Sequence, residues 1–255
     1  MSGAQLFDLH GKVALVTGGN GGIGAGIAVG LAQAGADVVI AARNEQKSST
    51  VVEAIEALGR RALAVRCDVL VGSDLEATVG AVREQFGRLD VLVNNAGVVR
   101  RGQAHELSEA DWDTVLGTNL KSVFLLTKLA YPLLKADGGG KVINIGSMTS
   151  IFGSGRVPAY STSKGGVVQL TKSMAIPWAK DNIQVNAILP GWIRTEMTAP
   201  LLADESLSRP IIDRTPQGRW GEPEELAGAA VFLASAASDF VTGQALAVDG
   251  GYSIF

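Results

Sequence analysis

Tyr160 and Lys164 lie four residues apart in a segment with helical periodicity, which puts both side chains on one helix face within mutual reach. A free tyrosine, with a pKa of about 10, is a poor base at neutral pH, but a neighbouring ammonium favours the phenolate. Such a pair can take or give a proton at a substrate oxygen. Ser147 follows a β-branched run, where its hydroxyl can hydrogen-bond an oxygen on which charge develops. Near the start of the chain, Val13–Val16 leads into Thr17-Gly18-Gly19-Asn20-Gly21-Gly22-Ile23-Gly24 and then directly into a helical pattern. Glycines at that junction allow a tight turn and let peptide N–H groups approach a pyrophosphate at the positive end of the helix. A dinucleotide loop together with a proton-transfer pair points to hydride exchange between a nicotinamide and a carbonyl or alcohol. No metal is needed for that chemistry.

These residues must be held by regular elements, and the hydrophobic pattern supplies them. Val13–Thr17, Asp37–Ala41, Ala62–Arg66, Leu89–Val93, Lys141–Ile145, Gln184–Leu189 and Ala245–Val248 read as strands, apolar on both faces. Between them, Ile23–Ala34, Glu45–Leu58, Asp74–Phe86, Trp112–Leu134, Ala159–Ala179 and Pro223–Ala234 carry helical periodicity. Gly35 and Gly59 stand at helix ends, Ser73 and Ser108 at capping positions, and Pro223 where a first turn tolerates proline. Strand–helix alternation throughout predicts an α/β fold. It is a Rossmann-type, doubly wound parallel sheet of seven strands with helices on both faces. Residues 1–255 read as a single dinucleotide-binding and catalytic domain. Residues 194–220 break the rhythm, and a connection of that length is expected to be a mobile substrate lid.

The chain has 255 residues, 47% hydrophobic and 18% charged, with a net charge of −3. That balance, without a basic run, argues against a nucleic-acid partner. One cysteine, Cys67, rules out an intrachain disulfide, and with only two histidines, His10 and His105, a Cys/His metal site is hard to build. Met1–His10 lacks the blocks of a signal peptide, and no apolar run spans a bilayer. A cytoplasmic enzyme with no membrane partner and a small-molecule substrate is the expectation.

The motifs, in their order along the whole chain, resemble the short-chain dehydrogenase/reductase family. They are the TGxxxGxG loop, Asp68 after the third strand, Asn94-Asn95-Ala96-Gly97 after the fourth, and Asn119 in a long helix. Ser147, Tyr160-Ser161-Thr162-Ser163-Lys164 and Pro190-Gly191 complete the set. The resemblance implies a catalytic group of Asn119, Ser147, Tyr160 and Lys164, with Lys164 also holding the nicotinamide ribose and Asn119 holding a water of the proton relay. It implies cofactor contacts from Gly18, Asn20, Gly22, Ile23, Gly24, Asp68, Val69, Asn95, Gly97, Ile193 and Thr195, besides Tyr160 and Lys164. Relatives of this kind are commonly homotetramers. Apolar material for such contacts lies in Trp112–Leu134, Val157–Ala179 and Ala245–Phe255.

Cofactor choice is written at the end of the second strand. Ala42 stands where an acidic residue would select NAD, and Arg43 can pair with a 2′-phosphate, which favours NADP(H) while Glu45 leaves NAD(H) open. Local likeness extends to sugar-acid dehydrogenases of the 2-deoxy-D-gluconate 3-dehydrogenase type, which generally prefer NAD. It rests on Val99-Arg100-Arg101, Arg156-Val157-Pro158-Ala159-Tyr160 and Gly218-Arg219-Trp220-Gly221. Arg101 and Arg156 then become candidates for binding a substrate carboxylate, or for pairing with acidic groups at a subunit contact. A reductase of non-sugar ketones or 3-oxoacyl substrates and a non-catalytic dinucleotide sensor are the alternatives.

Overall fold

The apolar runs become β1 (Val13–Thr17), β2 (Asp37–Ala42), β3 (Ala62–Arg66), β4 (Val91–Asn94), β5 (Gly140–Ile145), β6 (Ile183–Pro190) and β7 (Ala245–Val248). They appear in a computed structural model that describes residues 3–254. All neighbours pair in parallel, in the order β3-β2-β1-β4-β5-β6-β7. The order reverses direction between β1 and β4, and in open α/β sheets the crevice at the carboxyl ends of such strands is where ligands bind.

The helices are α1 (Gly22–Gln33), α2 (Glu45–Glu56), α3 (Gly72–Phe86), α4 (Glu109–Leu116), α5 (Ser122–Ala136), α6 (Pro158–Trp178), α7 (Ala199–Leu202), α8 (Glu205–Arg214) and α9 (Ala227–Ala234). One face of the sheet packs Ile27 and Leu31 of α1, Ile55 of α2 and Leu233 of α9 onto Val16, Ile40 and Ile188. The other packs Val82 of α3, Leu126 and Leu134 of α5, and Met174 of α6 onto Leu15, Val39, Leu92 and Val185. Because both faces are covered, β1, β2, β4, β5 and β6 are buried along their whole lengths. The two edge strands are the exceptions: β3 is half-buried to exposed, and β7 leaves Leu246 38% exposed.

Several boundaries differ from the sequence reading. α3 starts at Gly72 because the carbonyl of extended Val71 takes the Asp74 and Leu75 N–H groups, so Ser73 lies inside the first turn and caps nothing. β4 begins two residues late, after Asp90, whose carboxylate takes the Val13 N–H and the Lys12 and Arg88 cations. The long helix expected over Trp112–Leu134 begins at the Ser108 cap and is interrupted by a π turn at Gly117–Lys121. Residues 194–220 contain α7 and α8, the latter capped by Asp204. Pro210 inside α8 masked that helix in the sequence. Gly35 and Gly59 do end α1 and α2, at φ 107° and 75°, where a side chain would be strained.

Inside the sheet runs a chain of hydrogen-bonded amides. Asn94 donates to Thr127 and to Asn144, and Asn144 donates to Thr171, tying β4 and β5 to α5 and α6. Unpaired, each buried amide would cost about 1–3 kcal/mol, so the run fixes strand ends that carry the site. Buried Cys67 is a small core residue whose thiol is pushed up by desolvation. No helix of the described residues is long and apolar enough to cross a membrane.

Candidate active site

A cleft of about 400 Å³ opens at the carboxyl ends of β1, β4, β5 and β6. Its floor at one end is the turn between β1 and α1. Gly18 sits at φ 61°, and a Cβ on Gly24 would stand 2.2 Å from the Gly18 carbonyl oxygen, so only glycine fits. Farther along α1, a Cβ on Gly30 would meet that of Ala227 at 2.4 Å, so small residues hold the helix close to α9. Helices α2, α4 and α8 cap their first N–H groups with Asn44, Ser108 and Asp204. α1 has no side-chain cap, and Gly21, Gly22, Ile23 and Gly24 line the cleft there, which leaves the positive helix end open to an anion. The loop is braced by Asn95, whose amide donates to the carbonyls of Thr17 and Gly18, while Thr17 Oγ1 accepts from the backbone of Asn95 and Ala96.

At the far end lie Ser147, Tyr160 and Lys164. Pro158 opens α6, which places Tyr160 in its first turn and Lys164 one turn on. Lys164 is buried, donates from Nζ to the Ile145 carbonyl at 2.7 Å, and stands 5.7 Å from the centre of the Tyr160 ring. Ser147 caps a short turn, accepts from the Thr149 N–H and hydroxyl, and lines the same end of the cleft as the Tyr160 phenol. Asn119 is fully buried in the π turn. It accepts from Val98 N at 2.8 Å and donates to Val98 O and to Ser163 Oγ, which in turn donates to the Tyr160 carbonyl. Asn119 thus joins the loop after β4 to the helix of Tyr160; its side-chain N–H groups are both spent on protein atoms.

The ionisation of this pair departs from the sequence reading. Burial, rather than the neighbouring ammonium, dominates Tyr160 and pushes its pKa up, while the Ser147 hydroxyl pulls it down. Burial also lowers Lys164 to about 8. The folded value lies below the ordinary lysine value, so stability rises with pH from about 8 upward, and the full cost is present below that. A buried ammonium with one carbonyl acceptor retains donors for a further oxygen-bearing group.

The remaining residues fall as follows. Gly18, Asn20, Gly22, Ile23, Gly24, Arg43, Asn95, Gly97, Ile193 and Thr195 all line the cleft. Asp68 and Val69 do not. Asp68 accepts from the Leu70 N–H and meets Arg43 at 4.0 Å, and Val69 lines a separate hollow beside α4, α5 and α6. Arg101 and Arg156 lie on adjoining loops, joined by the Gly102 N–H to the Arg156 carbonyl, but neither lines the cleft. His10 and His105 are exposed and are not among the residues that line the cleft. Sequence reasoning missed Lys47, Glu196, Met197 and Thr198, which also line the cleft, and Ser150, whose hydroxyl ties the Ser147 N–H to the Lys164 carbonyl. Only Lys47, four residues after Arg43, carried a signal that could have been found.

A nicotinamide dinucleotide fits these groups: a glycine cradle for phosphates, cations at one end, and Tyr160 with Lys164 at the other. Residues 18–253 match the family described as enoyl-(acyl carrier protein) reductase. The chain is 50% identical over 249 residues to the 2-dehydro-3-deoxy-D-gluconate 5-dehydrogenase of Escherichia coli strain K12, covering 97% of this chain and 98% of that one. The chain belongs to the short-chain dehydrogenase/reductase family. Among solved structures it is similar to a gluconate 5-dehydrogenase from Burkholderia cenocepacia J2315 in complex with NADP and tartrate. The TM-score is 0.94, the identity 41% and the coverage 99% of each chain. It also matches a provisionally named 2-deoxy-D-gluconate 3-dehydrogenase from Agrobacterium tumefaciens with bound NADP, at TM-score 0.91 and 46% identity over 98% and 99% of the two chains. As a member of this family the protein is an NAD(P)-dependent oxidoreductase acting on CH–OH groups.

Proposed function

We propose that this short-chain dehydrogenase/reductase exchanges a hydride between NADP(H) and the hydroxyl or keto carbon of a sugar acid. The observation that carries the reading is the meeting of Ser147, Tyr160 and Lys164 at the end of a cleft that begins at the glycine cradle. Whole-length identity to the sugar-acid enzyme of Escherichia coli supports the substrate class, as does tartrate, a hydroxy diacid, in the Burkholderia relative. NADP in both solved relatives supports the cofactor and sets aside the general NAD preference that the likeness implied. Arg43 lines the adenosine end and Glu45 does not, which agrees with a 2′-phosphate.

Bound nicotinamide supplies or accepts the hydride. Tyr160 gives or takes the proton on the substrate oxygen, to which the Ser147 hydroxyl also donates. Lys164 turns its free donors to the ribose hydroxyls, and Asn119 keeps the loop after β4 against α6; with both side-chain N–H groups engaged there, the relay water assigned to it is held by an Asn119 oxygen. Arg101 and Arg156 remain candidates for the substrate carboxylate, with Asp68 and Val69 at the adenine. The whole chain acts as one domain, with residues 194–220 as its lid. The test is turnover of wild type with both cofactors against sugar acids, simple ketones and steroids. Oxidation of a sugar acid with NADP and little turnover of the others is expected; turnover confined to uncharged ketones overturns the substrate class.

The protein is also proposed to be a cytoplasmic homotetramer. Two separate faces leave large apolar groups in water: Phe124, Leu70 and Trp112 beside α4 and α5, and Ile176, Leu246 and Phe240 around the β7 edge. Two independent self-complementary faces are what a tetramer with crossed two-fold axes requires. Phe255 of the tail lies outside the described residues. Light scattering at micromolar concentration is expected to give four chains, and a monomer contradicts the assignment.

A further inference from the structure

Lys47 Nζ and Glu196 Oε1 form an ion pair at 2.5 Å between residues that are 149 positions apart, and both line the cofactor cleft. Lys47 stands in the first turn of α2. There Asn44 takes its N–H, and the Asn44 carbonyl accepts from Asn20 of the glycine loop, so this wall is fixed to the phosphate cradle. Glu196 stands on the opposite wall, between β6 and α7. Its neighbour Thr195 donates its N–H to Thr198 Oγ1, and Thr198 donates to the Ile193 carbonyl. A Cβ on Gly22 would come within 3.1 Å of the Thr195 side chain, so this segment rests against the glycine loop. The two side chains are 46% and 85% exposed, too exposed for their pairing to hold the fold together.

We propose that Lys47 and Glu196 form an ionic strap across the cofactor cleft that retains the dinucleotide and slows its release. The inference rests on the dinucleotide reading of that cleft but not on the identity of the substrate. A molecule reaching from Arg43 to Tyr160 passes between the two walls the pair joins, so it leaves freely only when the pair opens. The strap grips no phosphate of its own and therefore acts on NADPH and NADH alike.

The test is the rate at which bound NADPH or NADH, followed by its fluorescence, is chased from wild type, Lys47→Met, Glu196→Gln and the exchanged Lys47→Glu/Glu196→Lys protein. Each single variant releases both cofactors about two- to fivefold faster, as suits an exposed pair, and the exchanged protein recovers part of the loss. Added salt speeds NADH release from wild type and has little effect on either single variant. Unchanged release rates overturn the strap. So does a Lys47→Met variant that loses only NADPH while Glu196→Gln behaves as wild type, since Lys47 is then a phosphate ligand. A wild-type protein that binds neither dinucleotide overturns the cleft reading and the strap with it, whereas binding without sugar-acid turnover leaves the strap standing.

Discussion

Tyr160→Phe keeps the ring and its packing, yet turnover falls by between about a hundredfold and ten-thousandfold, the usual range for a positioned acid–base group. NADPH binding largely survives, because the glycine cradle and the cations at the other end of the cleft are untouched. The pH profile gives a second signature. Burial holds the Tyr160 phenol protonated to higher pH, against the pull of Ser147. Alcohol oxidation needs the phenolate, so its rate rises with pH; carbonyl reduction needs the phenol, so its rate falls. Both dependences disappear in the Phe variant. Near-normal turnover in folded Tyr160→Phe protein removes the residue from the mechanism.

Arg43→Ala weakens NADPH and leaves NADH nearly unchanged. A hydrogen bond from a guanidinium to a phosphate contributes roughly 1.5–3 kcal/mol, or about ten- to a hundredfold in affinity. The side chain is 68% exposed, which favours the lower part of that range. Its present partner, Asp68, stands at 4.0 Å, a contact loose enough for a phosphate to displace. Ala42→Asp acts in the same direction, by repelling the phosphate and offering a ribose hydroxyl an acceptor. The ratio of kcat/KM for the two cofactors in wild type and both variants is the measurement. A wild type that already prefers NADH, with a ratio unmoved by Arg43→Ala, returns Arg43 to the solvated surface.

The sheet was legible because its signal is local: five-residue, mainly apolar runs such as Val13–Thr17 and Ala62–Arg66 coincide with β1 and β3. The glycine loop and the Tyr160–Lys164 spacing were legible for the same reason, since each is a short pattern with one geometric meaning. What sequence reading lost depends on contacts between distant segments. The π turn at Gly117–Lys121 exists where Asn119 must reach Val98 and Ser163 at once. Tyr160's raised pKa reflects burial that helical spacing alone does not contain. Arg101 and Arg156 came together as loops through one backbone hydrogen bond, which no spacing between them foretells.

The central claim is direct hydride transfer to the keto carbon of a sugar acid. Wild-type protein is incubated with NADPH deuterated at the transferring position of the nicotinamide and a keto sugar acid such as a ketogluconate, and the product is examined by mass spectrometry and NMR. Deuterium on the new carbinol carbon, with the hydroxyl proton drawn from solvent through Tyr160, is the predicted result. A product without the label, or labelling only of ketones that carry no carboxylate, contradicts it.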